Sequence, residues 1–376
     1  MKIHVLFVIN DGKFFLSHRY GLAKELQASG FEVSIACPSG VTDDQIKAAG
    51  FTLYAIPLGR RSLNPFAQIK LMYALYRLYH RLKPDIIHHF SIKPILFGSI
   101  AAIFAKPRLL INAPTGLGYV FTSPTLKAKI LRALIAKLYY IALNLSLNIL
   151  IFQNEDDRQV FQQLGLIRKK QTFLIKGAGV DLSCYTPEKE KDELPIVIFP
   201  ARLLWDKGLQ EFIDAVKDIK SRAVCAARFV LVGDIDPGNP ATASKKQLEV
   251  WVNEGLVEWW GWQDNMINVF HNTHIVCLPS YREGIPKVLL EASACGKPIV
   301  TTDAPGCRDV VLDKITGFLV PVQDHKILAE RLVQLIHDPQ LREEMGQKGR
   351  ERIQAEFSIE KIVHDTLLVY HQLPVA

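Results

Sequence analysis

Several absences in the 376-residue sequence limit what the chain can be. Its six cysteines form no C-x-x-C pair and no cluster with histidine, which argues against a zinc site and for reduced thiols in a cytosolic protein. Its longest apolar runs, residues 94–105 and 138–152, fall short of the roughly 20 residues that a membrane-spanning helix needs. The apolar start, residues 3–10, is too short for a signal peptide. We therefore expect a globular, cytoplasmic protein without a transmembrane segment.

Acidic residues are missing from a long part of the first half of the chain. Between Asp85 and Glu155 there is no aspartate or glutamate, although lysine and arginine are frequent there. Residues 1–190 contain 24 basic and 12 acidic residues, a net charge of +12, and residues 191–376 contain 21 and 26, a net charge of −5. The first half should attract anions such as phosphates, nucleic acid or an anionic membrane. Nucleic acid is disfavoured, because no recognition motif accompanies the charge.

Length and hydrophobic pattern predict two α/β domains. The chain exceeds one ordinary core, and short β-branched runs alternate with amphipathic segments, as in doubly wound parallel sheets. We predict a Rossmann-like domain at 1–187, a second at 188–357, and a C-terminal helix at 358–376 that packs back on the first domain. Ligands of such sheets bind beyond the carboxyl ends of the strands, so two domains facing each other imply a ligand cleft. The predicted strands lie within residues 2–9, 31–38, 51–58, 84–91, 108–114, 147–154, 171–180, 196–203, 227–234, 257–262, 274–280, 298–303 and 317–322.

Two glutamates stand eight residues apart in SYREGIPKVLLEASACG, residues 280–296. Glu283 falls in the loop after a predicted strand, and Glu291 lies within the helix that Pro286 is suited to begin. The N-terminus of that helix offers unpaired backbone N–H groups and a positive dipole end, to which Lys287 adds its charge. A diphosphate would suit this position, with the carboxylates accepting hydrogen bonds from a sugar and a ribose at its two ends. The alternative is a pair of exposed glutamates without a ligand.

Two basic residues follow the first predicted strand of the second half. In FPARLLWDKGL, Arg202 ends the strand and Lys207 precedes Gly208 and a helix. Arginine binds phosphate in bidentate fashion and lysine acts as a point charge, so both suit a diphosphate at the same strand-end crevice. An isolated pair of this kind is usually surface charge, and the assignment therefore depends on the neighbouring glutamates.

The E-x7-E spacing of EGIPKVLLE, the upstream R-x4-K-G and the two-domain plan resemble the retaining GT-B glycosyltransferases of the family-4 type, group 1. The resemblance covers nearly the whole chain, including GAGVDLSCYTP at 177–187. It implies that Glu283 binds the donor sugar, Glu291 the ribose, and the strand end at Gly261 and Trp262 the base, most often uracil. Catalysis would fall to Arg202, Lys207, Glu283 and His18. The implied nucleotide-sugar-binding set is Gly12, Arg202, Lys207, Gly261, Trp262, Glu283, Gly284, Ile285, Lys287, Val288 and Glu291.

The segment NDGKFFLSHRYGLAKEL, residues 10–26, suggests a second group of contacts. Gly12 ends the first predicted strand, where a glycine lets the backbone approach a diphosphate closely. FFLSHR resembles bacterial transferases that act on polyprenyl-diphosphate-linked sugars and build surface polysaccharides or glycans. His18 is accordingly a candidate acceptor contact or proton acceptor, with a structural role at the helix start as the alternative. Arg19 is a candidate acceptor contact.

The loop INAPTGLGYVF, residues 111–121, lacks the histidine that many family members carry after the fifth strand. The identity of the catalytic base therefore stays open. His88 and His89 end the fourth predicted strand and either line the cleft or pack as a buried pair. The remaining candidates for acceptor binding in the loop are Asn112, Thr115, Gly116 and Gly118.

Two motifs suggest cofactors that the sequence does not support. GLGYVF, residues 116–121, lacks the third glycine and the following acid of a dinucleotide fingerprint, which excludes NAD. Asp234 and Asp236 form a D-x-D pattern, as in a metal site, but lie in a loop rich in proline and glycine, where a solvated turn is the alternative. Because Arg202, Lys207 and a helix N-terminus would neutralise the diphosphate, we expect no metal and no other cofactor.

Two segments, 66–83 and 125–140, interleave basic residues with leucine, isoleucine and tyrosine at helical spacing. Such helices can lie on an anionic bilayer, or pack an apolar stripe on the sheet with their charges in water. The positive first half favours the membrane. We therefore expect a peripheral protein on the inner face of the bacterial plasma membrane.

Taken with these patterns, the resemblance implies a retaining transferase that moves a hexose or N-acetylhexosamine from a UDP-sugar to a polyprenyl-diphosphate-linked saccharide. No carboxylate is placed as a nucleophile, so we expect same-face attack, with the leaving diphosphate helping to take the acceptor proton. Domain closure would exclude water. Two alternatives stay open: an epimerase of the same architecture and a non-catalytic nucleotide-sugar-binding subunit.

Overall fold

The chain divides into two units in a computed structural model that describes residues 2–59, 62, 64–116, 126–144, 148–167, 172–223 and 225–372. The first unit contains the described residues up to Ala178 and those from Ile359 onward, and the second is Gly179–Ser358. The first unit thus ends earlier than residue 187, where the sequence pattern placed the boundary. The intervening segment belongs to the second unit because Val180 pairs with Ser358 and the Tyr185 hydroxyl hydrogen-bonds Glu291.

The described part of the first unit is built on a parallel sheet of seven strands in the order β3-β2-β1-β4-β5-β6-β7. Alternate residues of each strand point to opposite faces, so Val5 and Phe7 join one apolar cluster while Leu6 and Val8 join another. Both faces are therefore buried, which is why these strands contain continuous apolar runs. The strands are His4–Val8 (β1), Glu32–Cys37 (β2), Thr52–Ala55 (β3), Ile86–Phe90 (β4), Leu109–Ala113 (β5), Ile149–Phe152 (β6) and Thr172–Leu174 (β7).

Helices of the first unit follow the strands in alternation. The Asn64 side chain caps one of them by accepting a hydrogen bond from Phe66 N at 3.0 Å, and Pro65 occupies its first turn. Two π-helical turns, Phe15–Arg19 and Pro94–Gly98, each lead into an α-helix. The helices are Gly12–Phe14 (α1), Tyr20–Ala28 (α2), Asp43–Ala48 (α3), Pro65–Leu82 (α4), Ser99–Ala105 (α5), Leu126–Asn144 (α6) and Glu155–Gln163 (α7).

The second unit repeats this architecture around a parallel sheet with the order β10-β9-β8-β11-β12-β13 in its described residues. Its strands are Ile196–Pro200 (β8), Arg228–Val232 (β9), Glu258–Gly261 (β10), Ile275–Leu278 (β11), Ile299–Thr302 (β12) and Gly317–Val320 (β13). A 3-10 turn, Trp205–Lys207, leads into the first of its helices, which are Leu209–Arg222 (α8), Lys245–Asn253 (α9), Met266–His271 (α10), Lys287–Ala294 (α11), Cys307–Val310 (α12), His325–His337 (α13) and Pro339–Glu356 (α14). The predicted architecture of two doubly wound parallel sheets is confirmed, and each predicted strand segment contains one strand.

The last helix, Ile359–Tyr370 (α15), belongs to the first unit. Ile362 and Val363 join the apolar cluster that Val5 and Phe7 line, and the Tyr370 hydroxyl lies 2.9 Å from His88 Nδ1. Within the described residues, no helix is both long enough and apolar enough to span a bilayer.

In the second unit, α14 packs closely on the chain that leaves α11. A Cβ atom at Gly346 would overlap the carbonyl oxygen of Gly296, whereas one at Gly349 would make ordinary contacts with Ser293. Position 346 therefore requires glycine for space, and position 349 does not.

We expect Gly346→Ala to lower the free energy of unfolding of the second unit by about 1–3 kcal/mol, because the two backbones must separate. Gly349→Ala on the same helix is the matched control and should raise that free energy by up to about 1 kcal/mol, since alanine favours helix. All five tryptophans lie in the second unit, so tryptophan fluorescence during urea denaturation reports its unfolding. Equal midpoints for the two variants would contradict the packing argument.

Candidate functional site

The carboxyl ends of β8 and β11 meet at the centre of the second sheet. The chain builds outward from β8 through β9 to β10, and then from β11 through β12 to β13 on the other side. Neighbouring strands whose connections run in opposite directions leave a crevice at their carboxyl ends, where α/β proteins bind ligands. Arg202 and Lys207 follow β8, and Glu283 follows β11. The fold therefore brings residues from both sequence motifs to one sheet edge.

Lys207 and Glu283 are in direct contact at this edge. The Lys207 ammonium donates a hydrogen bond to the Glu283 carboxylate, and the two side chains are 17% and 14% exposed. A cation and a carboxylate thus lie side by side in a partly desolvated place, where each interacts more strongly than it would in water. Such a pair can bind phosphate oxygens and sugar hydroxyls next to each other.

The loops after β8 and β11 are joined through their backbones. The Asp206 carbonyl accepts hydrogen bonds from Tyr281 N at 3.0 Å and from Ser280 Oγ at 3.2 Å. Gly208 has φ 77°, and a Cβ atom there would overlap the Pro279 carbonyl. The glycine after Lys207 is therefore required both for its left-handed backbone and for the close approach of the two loops.

The loop after β12 supports Glu283 from the other side. Glu283 N donates to the Pro305 carbonyl at 2.9 Å, and the Thr302 hydroxyl donates to the Ser280 carbonyl. Gly306 has φ 82°, and a side chain there would overlap the carbonyl of Gly284. The loops after β8 and β12 thus fix the backbone around Glu283 from both sides. In the sequence, only the motif that contains Glu283 indicated its importance.

Arg202 lies nearer to the neighbouring strand β9. Its Nη1 atom is 2.7 Å from Asp236 Oδ2, and its side chain remains 43% exposed. Asp236 is one of the two residues of the D-x-D pattern, and its ion pair with Arg202 gives this acidic residue a structural role. The other, Asp234, accepts a hydrogen bond from Ile235 N at 2.8 Å. In the parts of the chain that the structure describes, no three or more histidine, cysteine or acidic residues are grouped to hold a metal ion.

Glu291 is buried just after the first turn of α11, which excludes the alternative of an exposed helical glutamate. It is 7% exposed, and its Oε1 atom accepts hydrogen bonds from Lys287 Nζ at 2.6 Å and from the Tyr185 hydroxyl at 2.7 Å. Burial, reinforced by the Glu291 charge, raises the pKa of Tyr185, so the phenol stays protonated and donates. Tyr185 in turn is fixed by Arg350, which donates to its carbonyl at 2.8 Å.

The other predicted nucleotide-sugar residues lie around these groups. Ile285 is buried in the apolar core, and Val288 packs against that core, so the structure uses both side chains for packing. Gly261 ends β10, and its carbonyl accepts a hydrogen bond from Gly233 N at 2.8 Å. The next residue, Trp262, is 64% exposed, and its indole donates to Asp264 at 2.8 Å. An exposed indole at a strand end offers a stacking surface for a planar base.

In the first unit, Gly12 and His18 lie close to the carboxyl end of β1. A Cβ atom at Gly12 would overlap Thr42 Oγ1, so this glycine permits close packing of α1 and α3. The His18 ring is half-buried, stacks on Phe14 with ring centroids 4.6 Å apart, and has Nδ1 2.7 Å from Ser17 Oγ. Both readings of His18, structural and functional, are compatible with this environment.

Two predicted acceptor contacts have their side chains inside the first unit instead. Arg19 is 4% exposed because the π-helical turn directs it towards the sheet, where its guanidinium lies 4.6 Å from the centre of the Phe90 ring. Asn112 is fully buried in β5, and its Oδ1 atom accepts hydrogen bonds from His89 Nδ1 at 2.8 Å and Ser99 Oγ at 3.0 Å. Neither side chain offers surface to a bound acceptor.

The loop after β5 is described only in part. Thr115 is half-buried, with its hydroxyl 3.3 Å from Ser91 Oγ, and Gly116 is the last residue described there. Gly118 lies outside the described residues, as does the start of the second basic segment, residue 125. His88 and His89 are both buried, which agrees with the interpretation that they pack as a pair at the end of β4.

Comparisons with known proteins find related sequences for both halves of the chain. Residues 186–352 match the family model of the glycosyl transferases group 1, and residues 4–154 match that of the glycosyl transferase 4-like proteins. A relative from Campylobacter jejuni, an N,N'-diacetylbacillosaminyl-diphospho-undecaprenol alpha-1,3-N-acetylgalactosaminyltransferase, is 32% identical over 89% of this chain and 90% of its own length. A UDP-Gal:alpha-D-GlcNAc-diphosphoundecaprenol alpha-1,3-galactosyltransferase from Escherichia coli is 25% identical over 89% of this chain and 87% of its own.

The crystal structure of HepE from Anabaena in complex with UDP is similar to this structure with a TM-score of 0.79. The two chains are 19% identical, and the match covers 99% of this chain and 100% of that one. A likeness of this kind shows the fold, and the predicted GT-B fold class is confirmed.

Tyr185 was not among the predicted site residues. Replacing it by phenylalanine removes only the hydroxyl oxygen and therefore tests the hydrogen bond to Glu291. We expect Tyr185→Phe to lower the free energy of unfolding of the second unit by about 1–2 kcal/mol, because buried Glu291 loses one of its donors. Tyr73→Phe, which removes a hydroxyl from the exposed side of α4, should change it by less than about 0.5 kcal/mol. Tryptophan fluorescence in urea measures the first variant, and far-UV circular dichroism measures both. An unchanged midpoint for Tyr185→Phe would contradict the assigned hydrogen bond.

Proposed function

The chain belongs to the group 1, family 4-like glycosyltransferases, and we propose that it transfers a hexose or N-acetylhexosamine from a UDP-sugar to a polyprenyl-diphosphate-linked saccharide. The observation that carries this proposal is the contact between Lys207 and Glu283 at the β8–β11 crevice, which unites the two sequence motifs in one place. The names of the Campylobacter and Escherichia relatives support the lipid-linked acceptor, and the UDP complex of HepE supports the nucleotide.

The proposed donor site assigns one part of the nucleotide-sugar to each group of residues. Lys207 and Arg202 bind the diphosphate, the former as a point charge and the latter through its guanidinium. Glu283 accepts hydrogen bonds from the sugar hydroxyls, and Glu291 uses the oxygen not engaged by Tyr185 for the ribose. Trp262 stacks on the base. With two cations and the N-terminus of α11 at the diphosphate, we propose that no metal ion is needed to stabilise the departing charge.

The proposed reaction proceeds with retention on one face of the sugar. The bond from the anomeric carbon to the diphosphate oxygen breaks, and a bond to the acceptor oxygen forms on the same side. The acceptor proton passes to the departing diphosphate, whose negative charge Lys207 and Arg202 stabilise. His18 is the proposed contact to the acceptor hydroxyl in the first unit, where its half-buried ring is fixed by Ser17 and Phe14.

We expect Lys207→Ala and Glu283→Ala each to lower kcat/KM by at least about 10²–10³-fold, because each removes a preorganised charge at the reacting centre. The measurement is UDP release from a panel of UDP-sugars, with and without a polyprenyl-diphosphate-linked saccharide, and analysis of the sugars for isomers. Lys217→Ala on α8, a lysine that is 48% exposed, is the control and should retain wild-type rates.

The same assay separates the alternatives. Conversion of one UDP-sugar into another without acceptor would identify an epimerase, and nucleotide binding without turnover would identify a non-catalytic subunit. Wild-type rates in Lys207→Ala or Glu283→Ala would overturn the site assignment, whatever the donor.

We further propose that α4 holds the protein on an anionic membrane, at the inner face of the bacterial plasma membrane, where a lipid-linked acceptor is found. Its inward face buries Leu71, Leu75, Leu78 and Tyr79 against the sheet. On the outward face Phe66, Ile69 and Tyr73 are 80%, 58% and 58% exposed. Lys70, Arg77 and Arg81 are exposed on the same helix, which contains no acidic residue. Exposed aromatic and aliphatic side chains beside cations are typical of helices that lie in the interface of an anionic bilayer.

We expect the triple variant Phe66→Ser, Ile69→Ser, Tyr73→Ser to bind vesicles that contain one quarter phosphatidylglycerol at least about tenfold more weakly, since three apolar side chains no longer enter the bilayer. Co-sedimentation measures binding, and wild-type binding should fall as salt is raised. Val250→Ser with Val252→Ser, two exposed apolar positions on α9, is the matched control and should bind like wild type. Equal binding by both variants would exclude α4 as the membrane surface.

A further inference from the structure

Tyr185 lies in the irregular segment at the start of the second unit, ahead of β8, and its backbone is fixed by α14. The Arg350 Nη1 atom donates hydrogen bonds to the Tyr185 carbonyl at 2.8 Å and to the carbonyl of Ala294, the last residue of α11. One arginine therefore ties the Tyr185 backbone to the helix that carries Glu291. The Tyr185 hydroxyl approaches Glu291 from a fixed backbone position.

The carboxylate of Glu291 has its two protein donors on one oxygen. Within the described residues, the Tyr185 hydroxyl donates to Oε1 at 2.7 Å, and Lys287 Nζ donates to the same atom at 2.6 Å. Lys287 lies one turn earlier on the same helix and has a long, flexible side chain, whereas Tyr185 comes from a separate segment and has a rigid ring. Rotation about the terminal torsion of a glutamate is otherwise broad, so the tyrosine is the group that restricts it.

The other oxygen, Oε2, is the part of Glu291 available to a ligand. An ionised carboxylate only accepts hydrogen bonds, and a ribose offers two neighbouring hydroxyls that donate them. A site that is built to bind a hydroxyl discriminates strongly against the analogue that lacks it, because its own polar group is then left unpaired. The strength of this discrimination depends on how well Oε2 is directed at the two hydroxyls.

We propose that Tyr185 is a positioning residue for ribose recognition, whose hydroxyl orients the Glu291 carboxylate so that Oε2 accepts hydrogen bonds from both ribose hydroxyls of UDP. In this arrangement, which rests on the proposed function, Tyr185 does not touch the nucleotide and acts through Glu291. A purely structural tyrosine would stabilise the second unit without changing which sugar the nucleotide must contain.

The test compares UDP with 2′-deoxy-UDP and 3′-deoxy-UDP by isothermal titration calorimetry. The wild-type protein should bind each deoxynucleotide at least about tenfold more weakly than UDP. Tyr185→Phe should reduce this ratio of dissociation constants about 3- to 10-fold, which corresponds to one hydrogen bond. Partial unfolding of a variant lowers its apparent affinity for all three nucleotides equally, so the ratio reports recognition and not stability.

Tyr281→Phe is the matched control, because the Tyr281 hydroxyl donates to the Glu211 carboxylate at 2.6 Å elsewhere in the second unit. The same chemical change there should leave the ratio at its wild-type value. Glu291→Ala should abolish the discrimination. If Glu291→Ala loses it and Tyr185→Phe keeps the wild-type ratio, the role of Tyr185 is overturned and the proposed function stands.

Failure of the proposed function gives a different result. A wild-type protein that binds no UDP, or a Glu291→Ala variant that still discriminates, would overturn the ribose assignment and the role of Tyr185 with it.

Kinetics with a UDP-sugar provide a second measurement. The ribose contacts are the same before and during bond breaking, so Tyr185→Phe should raise the KM for the donor about 3- to 10-fold and leave kcat unchanged. A fall in kcat at unchanged KM would contradict a role in ribose binding.

Discussion

The adjacency of β8 and β11 is the constraint on which the candidate site depends. Lys207 and Glu283 are 76 residues apart in sequence. They meet because β9 and β10 lie on one side of β8, and the chain then forms β11 on its other side. The two loops are then tied by backbone rather than by long side chains, through the Asp206 carbonyl and the tight approach of Gly208 to Pro279. A site built in this way is preorganised, because its charged side chains start from fixed backbone positions and little order has to be gained on binding.

Much of the fold could be predicted from the sequence because the dominant signal, the alternation of buried strands with amphipathic helices, is local. Every strand of the described structure falls in a segment with such a signal. The contact between Lys207 and Glu283 was predictable for a related reason: strand ends in a parallel sheet share an edge, so residues at those ends converge. Tyr185 has no comparable signal. It reaches Glu291 across 106 residues, and nothing in its neighbours indicates the partner.

The environments of Arg19 and of the segment 185–195 could not be predicted from their charge alone. A charged residue at the start of a helix normally faces solvent, but the π-helical turn Phe15–Arg19 places this one against the sheet. The segment 185–195 resembles a solvated linker by composition. In the structure it is bound to the second unit, because Glu190 accepts hydrogen bonds from Arg342 Nε at 3.0 and 3.2 Å and Glu188 pairs with His271 at 2.9 Å. Arg342 is itself buried and also donates to the last carbonyls of α13, so Glu190 compensates a cation that the fold requires there.

The two buried arginines, Arg342 and Arg19, differ in the partners that the interior of their unit provides. Removing a guanidinium from water costs free energy that must be recovered from partners in the interior. Arg342 recovers it from a carboxylate and two carbonyls supplied by its own unit. Arg19 has an aromatic face and one distant carbonyl, and the first half of the chain is poor in acids. The first half of the chain therefore has few carboxylates that could compensate an interior cation. The sparse acidic composition of residues 1–190 therefore accounts for a buried cation that has no carboxylate partner among the described residues.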